Sequence, residues 1–264
     1  MVITNVHLFR KRKIVALVNL QRLDQILVDL QMVSSRTRAE VVIKNDGVLV
    51  NGVECRKPGK RFDPKSTFQL LAEPMPWVSR GALKLLSAFE QWPIDLDGAV
   101  CLDVGASTGG FTEVMLSLGA KKIVAVDTGT DQLHPRVAED SRVENLAQTD
   151  IRTISAQLLG GRVDFVAVDL SFISLSKVLE PLSHLIQPER SLIILFKPQF
   201  EVGPEHVGKG GIVRDISRVN EVKSATISYA QQVGFKFIGE MTCPLKGGDG
   251  NQEYLFHFIY SPQA

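Results

Sequence analysis

The sequence predicts an α/β fold in which a mostly parallel sheet lies between helices, with a small α+β unit at its amino end. Three observations carry this. Apolar runs at residues 99–102, 123–126, 165–168 and 192–196 alternate with helical stretches and read as buried parallel strands. A glycine-rich turn leads out of the first of them, the crossover at which such sheets bind nucleotides. Charge is also split. Residues 1–75 hold 13 basic and 7 acidic side chains and the remainder hold 17 and 22, although the whole chain carries only +1. A basic module is thus joined to a mildly acidic one.

Composition narrows the class. With 44% apolar and 22% charged residues in 264, the chain is ordinary globular material, not a disordered, histone-like or acidic-tail protein. No apolar run approaches the ~20 residues of a membrane helix, so no membrane partner is expected. Residues 1–20 carry a basic cluster, Arg10 to Lys13, without a small-residue cleavage site, and read as a leader, not a signal peptide. Cys55, Cys101 and Cys243 form no CxxC pair. Neither a disulfide framework nor a metal site is expected, and a reducing cytoplasm fits.

The amino-terminal elements follow in order. Leu23, Ile26, Leu27 and Leu30 recur at helical spacing, and Ser34-Ser35 reads as a turn and helix cap. A second helix spans 36–44, carrying Arg36, Arg38 and Lys44, and Asn45-Asp46-Gly47 ends it. Residues 48–50 read as a strand, Asn51-Gly52 as a type I′ turn, and Val53 onward as the return strand. A basic loop with Arg56, Lys57, Lys60 and Arg61 leads to a last strand at 67–71. Such a face is the electrostatic footprint of a phosphate-bearing partner, the plainer reading being a solvated surface. This unit spans 21–73. Pro74 and Pro76 mark a linker over 74–80, and a second domain occupies 81–264. Within it, helices are expected at 112–118 and 175–185. Strands at 236–239 and 254–260, either side of Gly247-Gly248-Asp249-Gly250, are expected to pair antiparallel at the sheet edge.

The turn runs Asp103-Val104-Gly105-Ala106-Ser107-Thr108-Gly109-Gly110-Phe111-Thr112. Its spacing is G-x-x-x-G-G. It is neither the G-x-G-x-x-G of a dinucleotide-binding dehydrogenase nor a P-loop ending in Gly-Lys-Ser/Thr. Asp103 would repel a pyrophosphate but suits a cation, and S-adenosylmethionine carries a sulfonium and an ammonium. Asp127 closes the next strand, where a carboxylate accepts from ribose hydroxyls, and Asp150 follows the third, placed to accept from the adenine amino group. A loop carboxylate capping a helix is the plainer reading of both.

Lys84, Asp169, Lys197 and Glu253 form the second constellation. Asp169 and Lys197 directly follow apolar runs and so emerge at the carboxyl edge of a parallel sheet, beside the ligand crevice. A lysine there invites a carboxylate partner, because an unpaired buried charge is costly. A purely structural ion pair is the competing reading.

Four motifs now carry a resemblance: Trp77-Val78-Ser79-Arg80-Gly81-Ala82-Leu83-Lys84-Leu85, the turn from Asp103 to Thr112, Val168-Asp169-Leu170-Ser171-Phe172-Ile173-Ser174, and Phe196-Lys197-Pro198-Gln199-Phe200-Glu201. In this order they resemble the TlyA family of bacterial ribosomal RNA 2′-O-methyltransferases, often labelled haemolysins. The similarity runs from about Arg22 to Ile259. It implies an S-four-type RNA-binding domain joined to an FtsJ-like methyltransferase domain with a Rossmann-like, mostly parallel seven-stranded sheet. Arg22-Leu23-Asp24, Val50-Asn51-Gly52 and Lys57-Pro58-Gly59 look like the first domain. Met75 stands where the family more typically has a basic residue.

The resemblance implies a Lys-Asp-Lys-Glu catalytic set at Lys84, Asp169, Lys197 and Glu253, and an S-adenosylmethionine site built from Asp103, Gly105, Ala106, Ser107, Thr108, Gly109, Gly110, Phe111, Asp127, Asp150 and Asp169. It implies RNA contacts by Arg36, Arg38, Lys44, Arg56, Lys57, Lys60, Arg61 and Arg80. The reaction implied is methyl transfer to a ribose 2′-hydroxyl, a cytidine, in ribosomal RNA or a ribosomal subunit, without a metal. A 2′-hydroxyl is a weak nucleophile that must lose its proton near attack; Lys197 would take it, oriented by Asp169. Lys84 and Glu253 would complete the charge array around the developing oxyanion. An RNA-binding protein with a degenerate methyltransferase fold and a membrane-active haemolysin are the alternatives.

Overall fold

A computed structural model describes residues 20–33, 35–71 and 75–262. Most of the expected leader, Ser34 of the expected cap, and residues 72–74 and 263–264 lie outside the described residues. The chain divides into two compact units with the boundary between Pro74 and Met75.

In the first unit, β1 (Gln21–Arg22) leads into α1 (Leu23–Asp29) and then α2 (Arg36–Asn45). Ser35 caps α2, its hydroxyl accepting from the Arg38 N–H at 3.2 Å. β2 (Val48–Val50) and β3 (Val53–Cys55) form the expected hairpin, and both Asn51 (φ 51°) and Gly52 (φ 79°) take the positive φ of a type I′ turn. β4 (Arg61–Phe62) pairs with β1, and β5 (Phe68–Leu70) completes the three-stranded order β3-β2-β5. The small β1–β4 ladder was not expected: two-residue strands leave no periodicity in the sequence. The core is Leu23, Leu27, Val42, Ile43, Val48 and Val50, drawn from both helices and the sheet.

The second unit opens with α3 (Gly81–Gln91), β6 (Val100–Val104), α4 (Gly110–Ser117), β7 (Lys122–Val126), α5 (Pro135–Ala138) and β8 (Val143–Leu146). It continues with β9 (Val163–Val168), α6 (Leu179–Ser183), β10 (Ile186–Phe196), α7 (Ile216–Gln232), β11 (Phe235–Thr242) and β12 (Tyr254–Tyr260). The seven strands lie in the order β11-β12-β10-β9-β6-β7-β8, and β12 runs antiparallel to both neighbours. Side chains alternate across the sheet. Leu102, Val104, Val166, Val168, Ile194 and Phe196 join one core cluster with α6 and α7, while Cys101, Phe165, Ala167, Ile193 and Leu195 join another with α3 and α4. Both faces are therefore covered, as a parallel sheet requires.

Two expectations needed correction, and one helix was not expected at all. The helix read over 175–185 is a short 3-10 turn, Leu175–Lys177, followed by only five residues of α6. Its apolar spacing is real, with Leu175, Val178, Leu179, Leu182 and Leu185 all buried, but Ser174 caps one piece and Pro181 confines the next to a first turn. Helix α7, the longest in the described chain, was missed because Lys223 and Thr226 interrupt its buried stripe of Val219, Val222 and Ala230. Lys223 is accommodated by a 2.8 Å pair with Glu240 and by the ring of Tyr254 at 4.3 Å. Lastly, β11 and β12 pair as expected, but only β11 is an edge; β12 is inserted beside β10.

Candidate active site

The register explains how residues far apart in sequence converge. Val104 of β6 pairs with Val168 of β9, so the glycine turn and Asp169 emerge side by side. Phe196 of β10 pairs with Tyr254 of the reversed strand β12, which sets Lys197, just past the end of one strand, beside Glu253, just before the start of the other. All four sequence-predicted charges thereby meet at one sheet edge.

They form two ion pairs. Lys84, one turn into α3, donates to Glu253 Oε2 at 2.5 Å, with side-chain exposures of only 12% and 2%. Lys197 Nζ lies 2.6 Å from Asp169 Oδ1, an ion pair outside hydrogen-bonding alignment, and donates to Ser171 Oγ at 2.9 Å. Burial pushes the Glu253 carboxyl above its ordinary range, and Lys84 and Lys197 pull it back. Ser171 was not foreseen as a participant, although it lies within the motif that carries Asp169.

Two cavities flank this edge and share Gly105, Ser107 and Asp169 as a common wall. The larger, about 610 Å³, is walled by the turn, by Arg80 and Lys84 of the α3 start, and by residues 245–250. The smaller, about 500 Å³, is bounded by Asp127, Gly129, Asp150, Ile151, Leu170 and Phe172 among others. Gly105 has φ +86°, and a Cβ there would be driven into the Asp169 carbonyl oxygen; glycine is what allows the turn to pass so close.

The predicted cofactor residues separate into two groups. Ala106, Thr108, Gly110 and Phe111 line the larger cavity, Asp127 and Asp150 the smaller, and Gly105, Ser107 and Asp169 both. Asp103 and Gly109 line neither. Asp103 is fully buried beneath the turn, because strand alternation points it at α4, where Thr112 Oγ1 donates to Oδ2 at 2.5 Å. Its Oδ1 has no partner among the described residues, and burial pushes the carboxyl up to about 7. Gly109 instead packs toward Leu133 and Val137. Asp127 accepts from the N–H groups of Ser107 (2.8 Å) and Gly129 (2.7 Å), holding the turn in place. Asp150 pairs with Arg152 at 2.5 Å and caps the 3-10 turn that follows, so the plainer capping reading holds for it beside its place in the cavity wall.

In the first unit the predicted RNA cations differ in what holds them. Arg56 lies on the carbonyls that end α2, reaching Asn45 O at 2.6 Å, and on Glu54. Arg61 donates to Leu20 O, Lys44 pairs with Glu40, and Lys60 lies over the ring of Phe62. Arg56 is thus also a helix-ending group, with about half of its side chain still exposed. Arg36 shares the buried Asp24 with Arg22, a residue the sequence reading assigned to a motif but not to RNA. Arg38 and Lys57 lie on the same unit, and Arg80 belongs to the second.

Comparison with known proteins now decides the family. The FtsJ-like methyltransferase family matches residues 77–260 and the S4 domain matches residues 21–67. The chain is 40% identical to the 16S/23S rRNA (cytidine-2′-O)-methyltransferase TlyA of Mycobacterium tuberculosis over 89% of its own length and 88% of the relative's. The chain belongs to the TlyA family. Another relative bears a different name: Hemolysin A of Brachyspira hyodysenteriae is 34% identical, covering 90% of this chain and 99% of that one. A solved structure from Streptococcus thermophilus that carries a hemolysin name matches with a TM-score of 0.73 at 34% identity, covering 93% of this chain and 90% of that one. As a TlyA-family chain it is an FtsJ-like methyltransferase with an S4 domain. Among the described residues no helix is long and apolar enough to cross a membrane.

Proposed function

We propose that this protein transfers a methyl group from S-adenosylmethionine to a ribose 2′-hydroxyl, that of a cytidine, in ribosomal RNA. The observation that carries the reading is the pairing of Lys84 with Glu253 and of Lys197 with Asp169 at one sheet edge, beside two cavities that share a wall. The names of relatives such as the M. tuberculosis and Campylobacter jejuni methyltransferases supply the substrate class.

The cavities fit the donor. The smaller offers Asp127 and Asp150 to a nucleoside's hydroxyls and amine, and the Cβ-free turn at Gly105 leaves room where the two cavities join. Asp169 lines both, so a carboxylate stands where a sulfonium would lie, an attractive placement in a partly desolvated site. When bound, the donor supplies a methyl group on a good leaving group. Everything else falls to the chain. The larger cavity admits the acceptor ribose and aligns its hydroxyl in line with the methyl. Lys197 is the general base toward the hydroxyl proton, held in position by Asp169 and Ser171. The Lys84 ammonium stabilises negative charge developing on the oxygen, and Glu253 fixes that ammonium in place.

The test is transfer of labelled methyl from S-adenosylmethionine to ribosomal RNA or subunits that lack the mark, followed by mapping of 2′-O-methyl positions. New label at cytidine 2′-oxygens supports the reading. Label on a base, or none on any ribosomal RNA, overturns it.

A further inference from the structure

Of the cations that line the larger cavity or pair at the reacting edge, two have no ion-pair partner among the described residues. Lys84 and Lys197 are held in ion pairs. Arg80 and Lys246 line the same larger cavity, and neither has a carboxylate partner among the described residues. This is unexpected in a domain whose own balance is acidic, with 17 basic and 22 acidic side chains from residue 76 on. Unpaired cations converging on one cavity are the signature of an anionic ligand group.

Their placement relative to the Lys84–Glu253 pair is specific. Arg80 is the residue on which α3 starts and lies one helical turn ahead of Lys84, on the same face. Lys246 sits on the loop that crosses the other partner. A Cβ on the adjacent Gly247 would lie 2.6 Å from Glu253 Oε1, so this loop packs directly on the buried carboxylate. The loop is itself held. Asp249 accepts from Gln199 at 3.2 Å, and the buried Asn251 accepts from Val213 N at 2.8 Å and donates to Gly211 O at 2.8 Å. Lys246 is therefore an exposed ammonium on an anchored segment.

We propose that Arg80 and Lys246 form a phosphate clamp that grips the RNA backbone on either side of the acceptor ribose. The inference rests on the ribose 2′-hydroxyl reading above and deepens it. It assigns to these two residues the discrimination between a ribose flanked by phosphodiesters and a free nucleoside. A 2′-hydroxyl is never more than a few bonds from its own 3′-phosphate. A clamp bracketing the Lys84–Glu253 pair thus aligns the oxygen by holding its neighbours, with backbone contacts positioning the chain and no base being read.

The experiment compares wild type, Lys246→Glu, Lys246→Arg and Arg80→Glu in the full chain, with a ribosomal RNA transcript as the probe. Steady-state methyl transfer, RNA affinity over a salt series and calorimetry with S-adenosylmethionine are measured. The expected result for each charge reversal is a rise of about tenfold or more in KM for RNA. The slope of log affinity against log salt should become shallower by about one, with affinity for S-adenosylmethionine unchanged. Lys246→Arg keeps the charge and restores KM. Retained S-adenosylmethionine binding also shows that the variants fold. Wild-type RNA affinity and salt slope in Lys246→Glu would overturn the clamp. So would a parallel loss of S-adenosylmethionine affinity, which would assign the cations to that molecule's carboxylate. Absence of transfer by wild type would defeat the underlying function, a distinct outcome.

Discussion

Lys84 and Glu253 stand 169 residues apart in sequence and share a 2.5 Å ion pair from which solvent is almost excluded. A pair this buried is expensive to break from one side only, because the remaining charge is left without compensation; the cost is roughly 3–5 kcal/mol. Glu253→Gln and Lys84→Met are each expected to lower the unfolding midpoint and to reduce methyl transfer. The double change Lys84→Met with Glu253→Leu is expected to recover much of the stability and none of the activity. Recovery of both by the double variant, read by thermal melts and methyl transfer, would show the pair to be structural only.

Lys197→Ala is expected to reduce methyl transfer by about 10²–10⁴-fold, the range of a lost general base. Affinity for S-adenosylmethionine, measured by calorimetry, should stay within a few-fold, since Lys197 is not among the residues that wall the smaller cavity, assigned above to the donor's nucleoside. Unchanged turnover removes the proton-transfer role from this amine and leaves only the pairing with Asp169.

Gly105→Ala combines two penalties. The residue holds φ +86°, and its new Cβ would press on the Asp169 carbonyl. Strain of this kind costs on the order of 1–3 kcal/mol, and relief requires the turn or Asp169 to move. Both cavities share these residues, so a weakened cofactor site is expected together with a lower melting temperature. Gly52→Ala, also at positive φ but with open space around it, serves as the comparison: strain without collision. Equal cofactor affinity in the two variants would contradict the close-approach argument.

Asp103 makes stability depend on pH in a definite sense. Burial pushes it from 3.8 up to about 7, with Thr112 drawing it down and the Asp169 charge adding to the rise. The folded state therefore binds this proton more tightly than the unfolded chain. The stabilisation is complete below the unfolded value and is lost as pH rises through the folded one. His257, lowered to about 4 by burial, acts in the opposite direction, destabilising the fold as pH falls below its ordinary value. The difference between wild type and Asp103→Asn isolates the first group. Wild type should lose stability relative to Asp103→Asn between about pH 4 and 7. Parallel denaturation curves across that window would count against a buried, protonated Asp103.

Glu201 ties the two halves of the Lys197–Asp169 pair together. Its Oε2 accepts from Ser174 Oγ at 2.7 Å and its Oε1 from Leu175 N at 2.9 Å, fastening the segment after Asp169 to the segment after Lys197. Burial raises its carboxyl above the ordinary range. As a positioning residue it should act on turnover. Glu201→Ala is expected to lower kcat with KM for RNA little changed, and Glu201→Gln, which keeps an acceptor for Leu175, to restore part of kcat. A change in KM alone would indicate that the segment serves binding and not alignment.

Much of this was legible in the sequence because local physics dictated it. Continuous apolar runs marked the buried strands, and the G-x-x-x-G-G spacing marked a turn at the first crossover, where glycine lets backbone approach a ligand closely. Asp169 and Lys197, placed just past apolar runs, had to emerge at one edge. The hairpin with Asn51-Gly52 was equally plain, since few residues other than Asn and Gly accept two successive positive φ values. Long-range choices were not legible. Glu253 reaches Lys84 only because β12 reverses and inserts beside β10, and strand order leaves no local trace. Arg56 is committed to the end of α2, and Asp103 turns inward rather than toward a cavity; both depend on what packs opposite, which charge and spacing do not encode. By itself, then, the sequence determined the elements, the family motifs and the residue types of the site. Tertiary structure decided which charge met which, because ion pairing and burial are properties of neighbours in space.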